Sequence, residues 1–551
     1  MNKRGITSGI LLLLMLGAAL LCGCTNNNGG NNNVGTSVSQ ETSDSTGDTD
    51  DIDAQAKNTQ YIKLQEEEMM KYFENIKLTE AIKGFGFKNP LMTQRLGADP
   101  YALVYNDRVY IYMTGDIVEY DEEGKVKNNS YSKINKLNVI SSDDLVNWTD
   151  HGSINAAGPQ GAAKWGNNSW APAIAHKKID GKDKFFIYFA NGGNGIGVLT
   201  SDSPIGPFVD PLGKPLISRA TPNCANVAWL FDPAVLVDDD GSAYLYFGGG
   251  VPQGREADPG TGRAVKLGDD MISLDGDPVT LDIPYLFEDS GINKIGDTYY
   301  YSYCTNWNVP LEATKELGIN NADIAYMTSK NPLGPFTFQK AILRNPGVFF
   351  GVWGNNHHCM FEFKGQMYMT YHSQMLEKKL GISGGYRSTN IDYVVVNEDG
   401  TIDNIKASEF GVKQIKSLNP YERCEAETMG TMAGISTVVV EETAPGSGTG
   451  NMAVTEIHTG DWIAVYGADF GEKGAKSFTA CIKPPTSGEG AIQIRLDKPT
   501  GEAVGYLKID ADSSGQFKEI TADLMTPITG EHNLVFVFYG EGYEFDYWYF
   551  K

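Results

Sequence analysis

Positive charge is in short supply in this chain of 551 residues: 45 Lys and Arg stand against 69 Asp and Glu, for a formal net charge of −24. That balance disfavours nucleic acid or an anionic membrane surface as partner, because phosphate binding needs clustered Lys and Arg. Cysteine is scarce as well. Two of the seven, Cys22 and Cys24, lie near the N-terminus, and Cys224, Cys304, Cys359, Cys424 and Cys481 are scattered without a CxxC pair. Neither a disulfide framework nor a zinc site is implied, and these five read as small buried hydrophobes. Long apolar runs are missing except for "ILLLLMLGAALL" (Ile10 to Leu21), which is shorter than the ~20 residues of a spanning helix. Between about Lys83 and Ser417 there is also little helical periodicity, so a helical fold is disfavoured there.

What is present starts with an export signal: Lys3 and Arg4, the apolar run, then small residues up to Cys24. "LCGC" (Leu21 to Cys24) resembles a bacterial lipobox, which implies that Cys24 carries lipid and that residues 1–24 are a lipoprotein signal. The expected location is the cell surface, with membrane contact only through this anchor; plain secretion is the alternative. Residues 25–58 are polar and nearly free of apolar side chains, which suits a disordered tether. Residues 59–84 have helical spacing and a charged face, and are expected to be a short helix on the following domain or a spacer.

With this length two or more domains are expected, since single cores rarely grow past ~250 to 300 residues. The first is β in texture, and one run keeps returning: "RVYIYMT" (from Arg108), "KFFIYFA" (from Lys184), "SAYLYFG" (from Ser242), "TYYYSYC" (from Thr298) and "QMYMTYH" (from Gln366). Five such runs suit a β-propeller of five four-stranded blades. "TSDSPIGPF" (from Thr200) recurs as "TSKNPLGPF" (from Thr328), an independent sign of repetition.

Roughly a dozen residues ahead of each returning run, at the head of the preceding apolar stretch, stand Asp99, Trp170, Asp232, Glu288 and His357. If the blades are equivalent, these are equivalent positions at the start of the innermost strands, and they converge on the axis. Like charges a few ångströms apart raise one another's pKa. Such a set suits glycosidic hydrolysis, which needs one protonated carboxylic acid and one carboxylate to activate water. Trp170 offers a flat wall for a sugar face. "SSDDLVNW" (Ser141 to Trp148) occurs once and is expected to be a β-turn with Trp148 packed beneath it; a sialidase or an invertase-like reading lacks its other motifs.

"NPLMTQRLGADP", "WAPA", "FDPAVLVDDDG", "LFEDSGINKIGDTYYYSY" and "NNHHCMFEFKGQMYMTYH" together resemble glycoside hydrolase family 43 over roughly residues 85–404. The resemblance implies an inverting, five-bladed propeller with Asp99 as general base, Glu288 as general acid and Asp232 tuning the acid. Asp289 beside Glu288 leaves the acid open between the two. It implies a site for His357 beside a central calcium, or a histidine that serves backbone groups, and a sugar-site role for Arg387.

The propeller is expected over 85–418 and a β-sandwich over 419–551. "GDWIAVYGADFG", "AIQIRLDKPTGEAVGYLKI" and "GYEFDYWYF" resemble carbohydrate-binding module family 6, and alternation in "AIQIRLD" fits half-buried strands. That resemblance implies a structural calcium held by Glu425, Glu427 and Asp546; a solvated Glu pair is the alternative. Phe517 stands where many members carry Trp, and Trp462 is expected in the sandwich core.

Together these point to a hydrolase of plant cell-wall polysaccharide, an α-L-arabinofuranosidase on arabinoxylan before a β-xylosidase or an endo-arabinanase acting on arabinan. The rival from another class is a glycan-binding lipoprotein without catalysis, which would not need three axial carboxylates.

Overall fold

The computed structural model describes residues 67–551; the signal, Cys24 and the tether lie outside the described residues. Five antiparallel sheets surround one axis. Their innermost strands are Ala98–Tyr105, Trp170–Ile179, Ala234–Val237, Leu286–Ile295 and His358–Phe363. The five returning runs form the strands that pair directly outside these. Each innermost strand packs on the next, and the fifth on the first, so the ring closes.

The repeated aromatics and the repeated Ser-Pro and Asn-Pro phrases explain one another. Tyr112 donates its hydroxyl to the carbonyl of Pro204, and Tyr246 donates to Pro332 at 2.6 Å. Both prolines sit in the "TSDSPIGPF" and "TSKNPLGPF" phrases of the next blade. These tyrosines are fully buried, and a buried hydroxyl left unpaired costs about 1–3 kcal/mol, so the phrase is a receptor for the neighbour's tyrosine.

Blades one, three and four carry the expected four strands, whereas blades two and five have three regular ones. In blade two the outer position is reduced to isolated bridges, Thr200 with Val209 and Ile196 with Ile217. In blade five the segment that leads into the propeller, residues 89–97, takes that place. Leu91 N donates to Thr389 O at 2.8 Å and Gly97 N to Arg387 O at 3.1 Å, while Asn89 exchanges hydrogen bonds with the backbone of Ile391. Closing the ring this way brings the first and last blades together beside Asp99.

The second domain is a sandwich. One sheet holds Thr431–Ala433, Trp462–Asp469, Glu531–Tyr539, Glu489–Leu496 and Ala503–Asp510; the other holds Lys518–Ile528, Ala475–Lys483, Glu544–Phe550, Gly450–Thr455 and Ser436–Glu442. Phe478, Phe536, Phe545, Trp548 and Phe550 fill the space between them. Burying a Phe contributes roughly 1.5–3 kcal/mol, so this cluster alone supports an independent core.

The two domains share backbone pairing. Thr428–Met429 adds a fifth strand to blade one beside Trp148–Asn155. The "SSDDLVNW" turn is the other joint: Asp144 accepts from the backbone N–H groups of Val146 and Asn147, and Asn147 exchanges hydrogen bonds with the Tyr466 backbone at 2.8 and 2.9 Å. Trp148 is buried beneath it.

Two expectations need correction. Residues 67–73 are helical, but Met69 and Phe73 pack on the sandwich, against Ala433, Ala464, Val535 and Val537, and not on the propeller. The apolar face of this helix matches an apolar outer face on that sheet. For the same reason Trp462 lies outside the sandwich core, under the N-terminal segment, where its Nε1 donates to Thr79 O at 2.9 Å. No helix of the described residues is long and apolar enough to cross a membrane.

Candidate active site

The innermost strands do not enter the axis as regular strands. Register shifts mark the starts of blades one, two and four, and Asp99 (φ 47°), Ala171 (φ 42°), Asp232 (φ 48°) and Asp289 (φ 70°) all take the left-handed conformation. Non-glycine residues are held there only at a cost of order 1–3 kcal/mol, and bulges beside active sites re-aim side chains. The bulges also revise the equivalence read from the sequence. By pairing, Glu288 matches Ala98 and Trp170, and it is Asp289 that matches Asp99 and Ala171.

At this bulge the two adjacent acids point apart. Glu288 faces a cavity of about 100 Å³ lined also by Asp99, Asp232, Trp170, His357 and Arg387. The five residues placed at the axis, and Arg387, therefore meet in one place. Asp289 is wholly buried below them: it accepts from His358 Nδ1 at 2.5 Å and lies 3.1 Å from His357 Nε2, while His358 Nε2 meets Ser302 Oγ at 2.7 Å. Asp289 is thus occupied in fixing the two histidines, and Glu288 is the acid that meets the cavity.

The three cavity carboxylates are treated differently by their surroundings. Asp99 is buried, which raises its pKa, but the Arg387 guanidinium beside it outweighs burial and holds it well below the usual carboxylate range. Arg387 Nη1 donates to both of its oxygens, at 2.9 and 3.1 Å, and Thr114 Oγ1 donates to Oδ2 at 2.7 Å. The Asp99 backbone N–H donates to His372 Nδ1, whose ring is oriented by Nε2 donating to Asn355 O. Glu288 has no cation against it. Burial, then Asp99 and Asp289, push it up to about 8, and its Oε1 is a buried atom without a protein partner. Asp232 is also raised well above its ordinary value, by burial and by Glu288, and accepts from the Asp289 backbone N–H at 3.0 Å. At neutral pH the Glu288 and Asp232 pair keeps a proton while Asp99 is ionised.

Three wall residues were not found from the sequence. Tyr131, Phe231 and Asn355 line the cavity from irregular segments with no repeat signal. Tyr131 (φ 58°) sits on the long 115–135 connection; its carbonyl accepts from Trp170 Nε1 at 3.0 Å, and its ring lies 5.1 Å from the Arg387 guanidinium. A more open depression of about 740 Å³ beside Tyr285 and Asn308 brings no carboxylate set together around an enclosed space.

Among the described residues no three His, Cys, Asp or Glu side chains already form a metal cage. His357 turns Nε2 to Asp289 and Nδ1 toward Asp99 and Asp232, at 3.5 and 3.7 Å. In the sandwich, Glu425 is paired with Arg423 and Asp546 accepts from Asn451 at 2.8 Å. Glu427 differs: it is 2 % exposed, its Oε2 has no partner, and burial raises its pKa well above the usual value. An orphaned carboxylate beside Glu425, Glu441, Glu442 and Asn451 is an all-oxygen set that fits a hard divalent cation such as calcium.

Known proteins bear the same combination. A chain named arabinoxylan arabinofuranohydrolase from Paenibacillus polymyxa is 50% identical over 468 residues, covering 83% of this chain and 72% of that one. One of the same name from Bacillus subtilis (strain 168) is 50% identical over 489 residues, covering 86% and 94%. The crystal structure of a glycoside hydrolase family 43 arabinoxylan arabinofuranohydrolase from Bacillus subtilis, in complex with cellotetraose, superposes with a TM-score of 0.81 at 50% identity, covering 86% of this chain and 99% of that one. The sequence model of the family 6 carbohydrate binding module matches residues 425–551, the sandwich. The model of glycosyl hydrolases family 43 matches residues 87–402, the propeller that carries the differentiated carboxylates, and the chain belongs to that family.

Proposed function

We propose that this glycoside hydrolase removes arabinofuranosyl side groups from arabinoxylan, with inversion at the anomeric carbon. The observation that carries the chemistry is the divergence of two carboxyl groups in one cavity, Asp99 held ionised by Arg387 and Glu288 held protonated up to about 8. Asp99 takes a proton from water as its oxygen bonds to the anomeric carbon. Glu288 gives its proton to the glycosidic oxygen as that bond breaks, and Asp232 beside it keeps the proton on the pair until then. A cavity of about 100 Å³ walled by Trp170, Tyr131 and Phe231 suits one sugar ring at a chain end or branch. The name shared by the relatives at 50% identity supports arabinoxylan as the substrate.

Product chromatography after incubation with arabinoxylan, xylo-oligosaccharides and linear arabinan tests this reading. Arabinose from arabinoxylan is expected. Xylose from the oligosaccharides would replace it with a β-xylosidase, arabino-oligosaccharides with an endo-arabinanase, and no product with a glycan-binding protein. NMR of the first-formed sugar should show the inverted anomer.

Two further parts of the proposal concern the rest of the chain. Calcium held by Glu425, Glu427 and Asp546 would neutralise the buried Glu427 and stiffen the sandwich where it meets blade one. Lipid on Cys24 would hold the exported enzyme at the cell surface, which mass spectrometry of the membrane fraction tests by the mass of the mature N-terminus.

A further inference from the structure

The arginine of the cavity is itself held by a carboxylate that no motif singles out. Asp116 follows the second strand of blade one, Arg108–Thr114, by two residues. Its side chain is wholly buried, and Arg387 supplies all three of its hydrogen bonds: the backbone N–H and Nε to Oδ2 at 3.0 and 2.9 Å, and Nη2 to Oδ1 at 2.7 Å. This side-on pairing uses the bidentate edge of the guanidinium and leaves Nη1 for Asp99.

We propose that Asp116 is a positioning residue of the reaction, acting on Asp99 through Arg387. Without it, Arg387 is free to turn its bidentate edge to Asp99 and close off the oxygen that must take the proton from water. With it, one guanidinium is shared between two buried carboxylates. Asp99 is then ionised and oriented, yet not fully neutralised. The loop that starts at Asp116 also carries Tyr131, so the same ion pair seats a wall of the cavity. The inference rests on the reading of Asp99 as base.

The test compares kcat and KM of the full chain on an aryl arabinofuranoside and on arabinoxylan for Asp116→Asn, Glu119→Gln, Arg387→Met, the Asp116→Asn/Arg387→Met double variant and Asp99→Ala. Glu119 anchors the same loop through Ser130, at 2.9 Å to its N–H and 2.6 Å to its hydroxyl, without touching Arg387. Asp116→Asn should lower kcat by about tenfold or more with KM changed by less than about threefold, the mark of an interaction made in the transition state. Glu119→Gln should stay within about twofold of the parent, and Asp116→Asn should cost nothing further once Arg387 is gone. Equal effects of Asp116→Asn and Glu119→Gln, a rise in KM alone, or additive losses in the double variant would overturn the proposal. If Asp99→Ala keeps its activity, the base reading falls and this inference with it. If Asp99→Ala is inactive while Asp116→Asn turns over normally, only this inference falls. Should Asp116→Asn fail to fold, Arg387→Lys carries the test, since lysine keeps the charge but cannot serve both carboxylates; a normal kcat there would overturn the proposal.

Discussion

Two clusters of three acidic residues stand in this molecule, and they are built in opposite ways. At the propeller axis Asp99, Asp232 and Glu288 share a cavity in which one carboxylate has a buried arginine and the other two have none. In the sandwich, Glu425 faces a half-exposed Arg423, Asp546 is tied to Asn451, and Glu427 is buried with an oxygen left unpaired. Burial raises the pKa of an isolated carboxyl in both places. At the axis a cation reverses it for one member, so the members hold protons unequally there, which proton transfer requires. In the sandwich the partly exposed Arg423 pairs with Glu425 and lies 3.8 Å from Asp546 while Glu427 is left with an unpaired oxygen, and calcium is proposed there as the complement to these oxygens. Acidic clustering alone therefore does not identify catalysis; the distribution of counter-charge does.

The comparison can be broken most directly at Glu288. Glu288→Gln should lower kcat/KM on arabinoxylan by roughly 10²- to 10⁴-fold, the range general acid catalysis supplies, while an aryl substrate with a good leaving group loses far less. Equal losses on both substrates in steady-state assays would remove Glu288 as the acid. Chelation probes the other cluster. EDTA should lower the melting temperature of the whole chain, calcium should restore it, and Glu427→Gln should abolish the difference. A cation present at about a hundred times its Kd contributes about 2.7 kcal/mol. Turnover of a small aryl substrate measured below the melting transition should stay within about twofold of that with calcium, because the axial cavity is lined by propeller residues.

The pH profile sharpens the contrast further. Glu288 must be protonated to act and burial pushes its pKa up to about 8, so kcat/KM should fall as pH rises through that value, about tenfold per unit beyond it. Asp99, held well below the usual range, should place no acid limb near neutrality. The basic limb should vanish in Glu288→Gln on an activated substrate. The smallest effect is expected where the N-terminal segment docks. Tyr72 stacks on Tyr539 with ring centroids 4.5 Å apart, and Tyr72→Ala should cost about 0.5–1.5 kcal/mol in denaturant unfolding without changing kcat/KM.

Much of this was legible in the order of residues. Returning aromatic strands, a doubled proline phrase and five residues ahead of the strands pointed to a five-bladed ring with an acidic axis, because strand periodicity and turn chemistry are local properties. Those five residues, and the Arg387 implied by the family resemblance, do meet in one cavity. Strand alternation likewise marked the sandwich. The Asn147 turn was legible as a turn, but not as a joint between domains, since its partner Tyr466 lies 319 residues away.

What the sequence by itself determined is the fold and the set of candidate acids, which follow from short-range pattern, while the family came from the resemblance of its motifs. Tertiary structure alone decided which of Glu288 and Asp289 meets the cavity, because a left-handed bulge shifts the register by one residue and sends neighbours to opposite sides. It also decided that Asp116 and Arg387 meet across the ring closure, that Tyr131 forms a wall, and that the N-terminal helix chooses the sandwich. Those outcomes depend on contacts between segments far apart in the chain, and no local spacing encodes them.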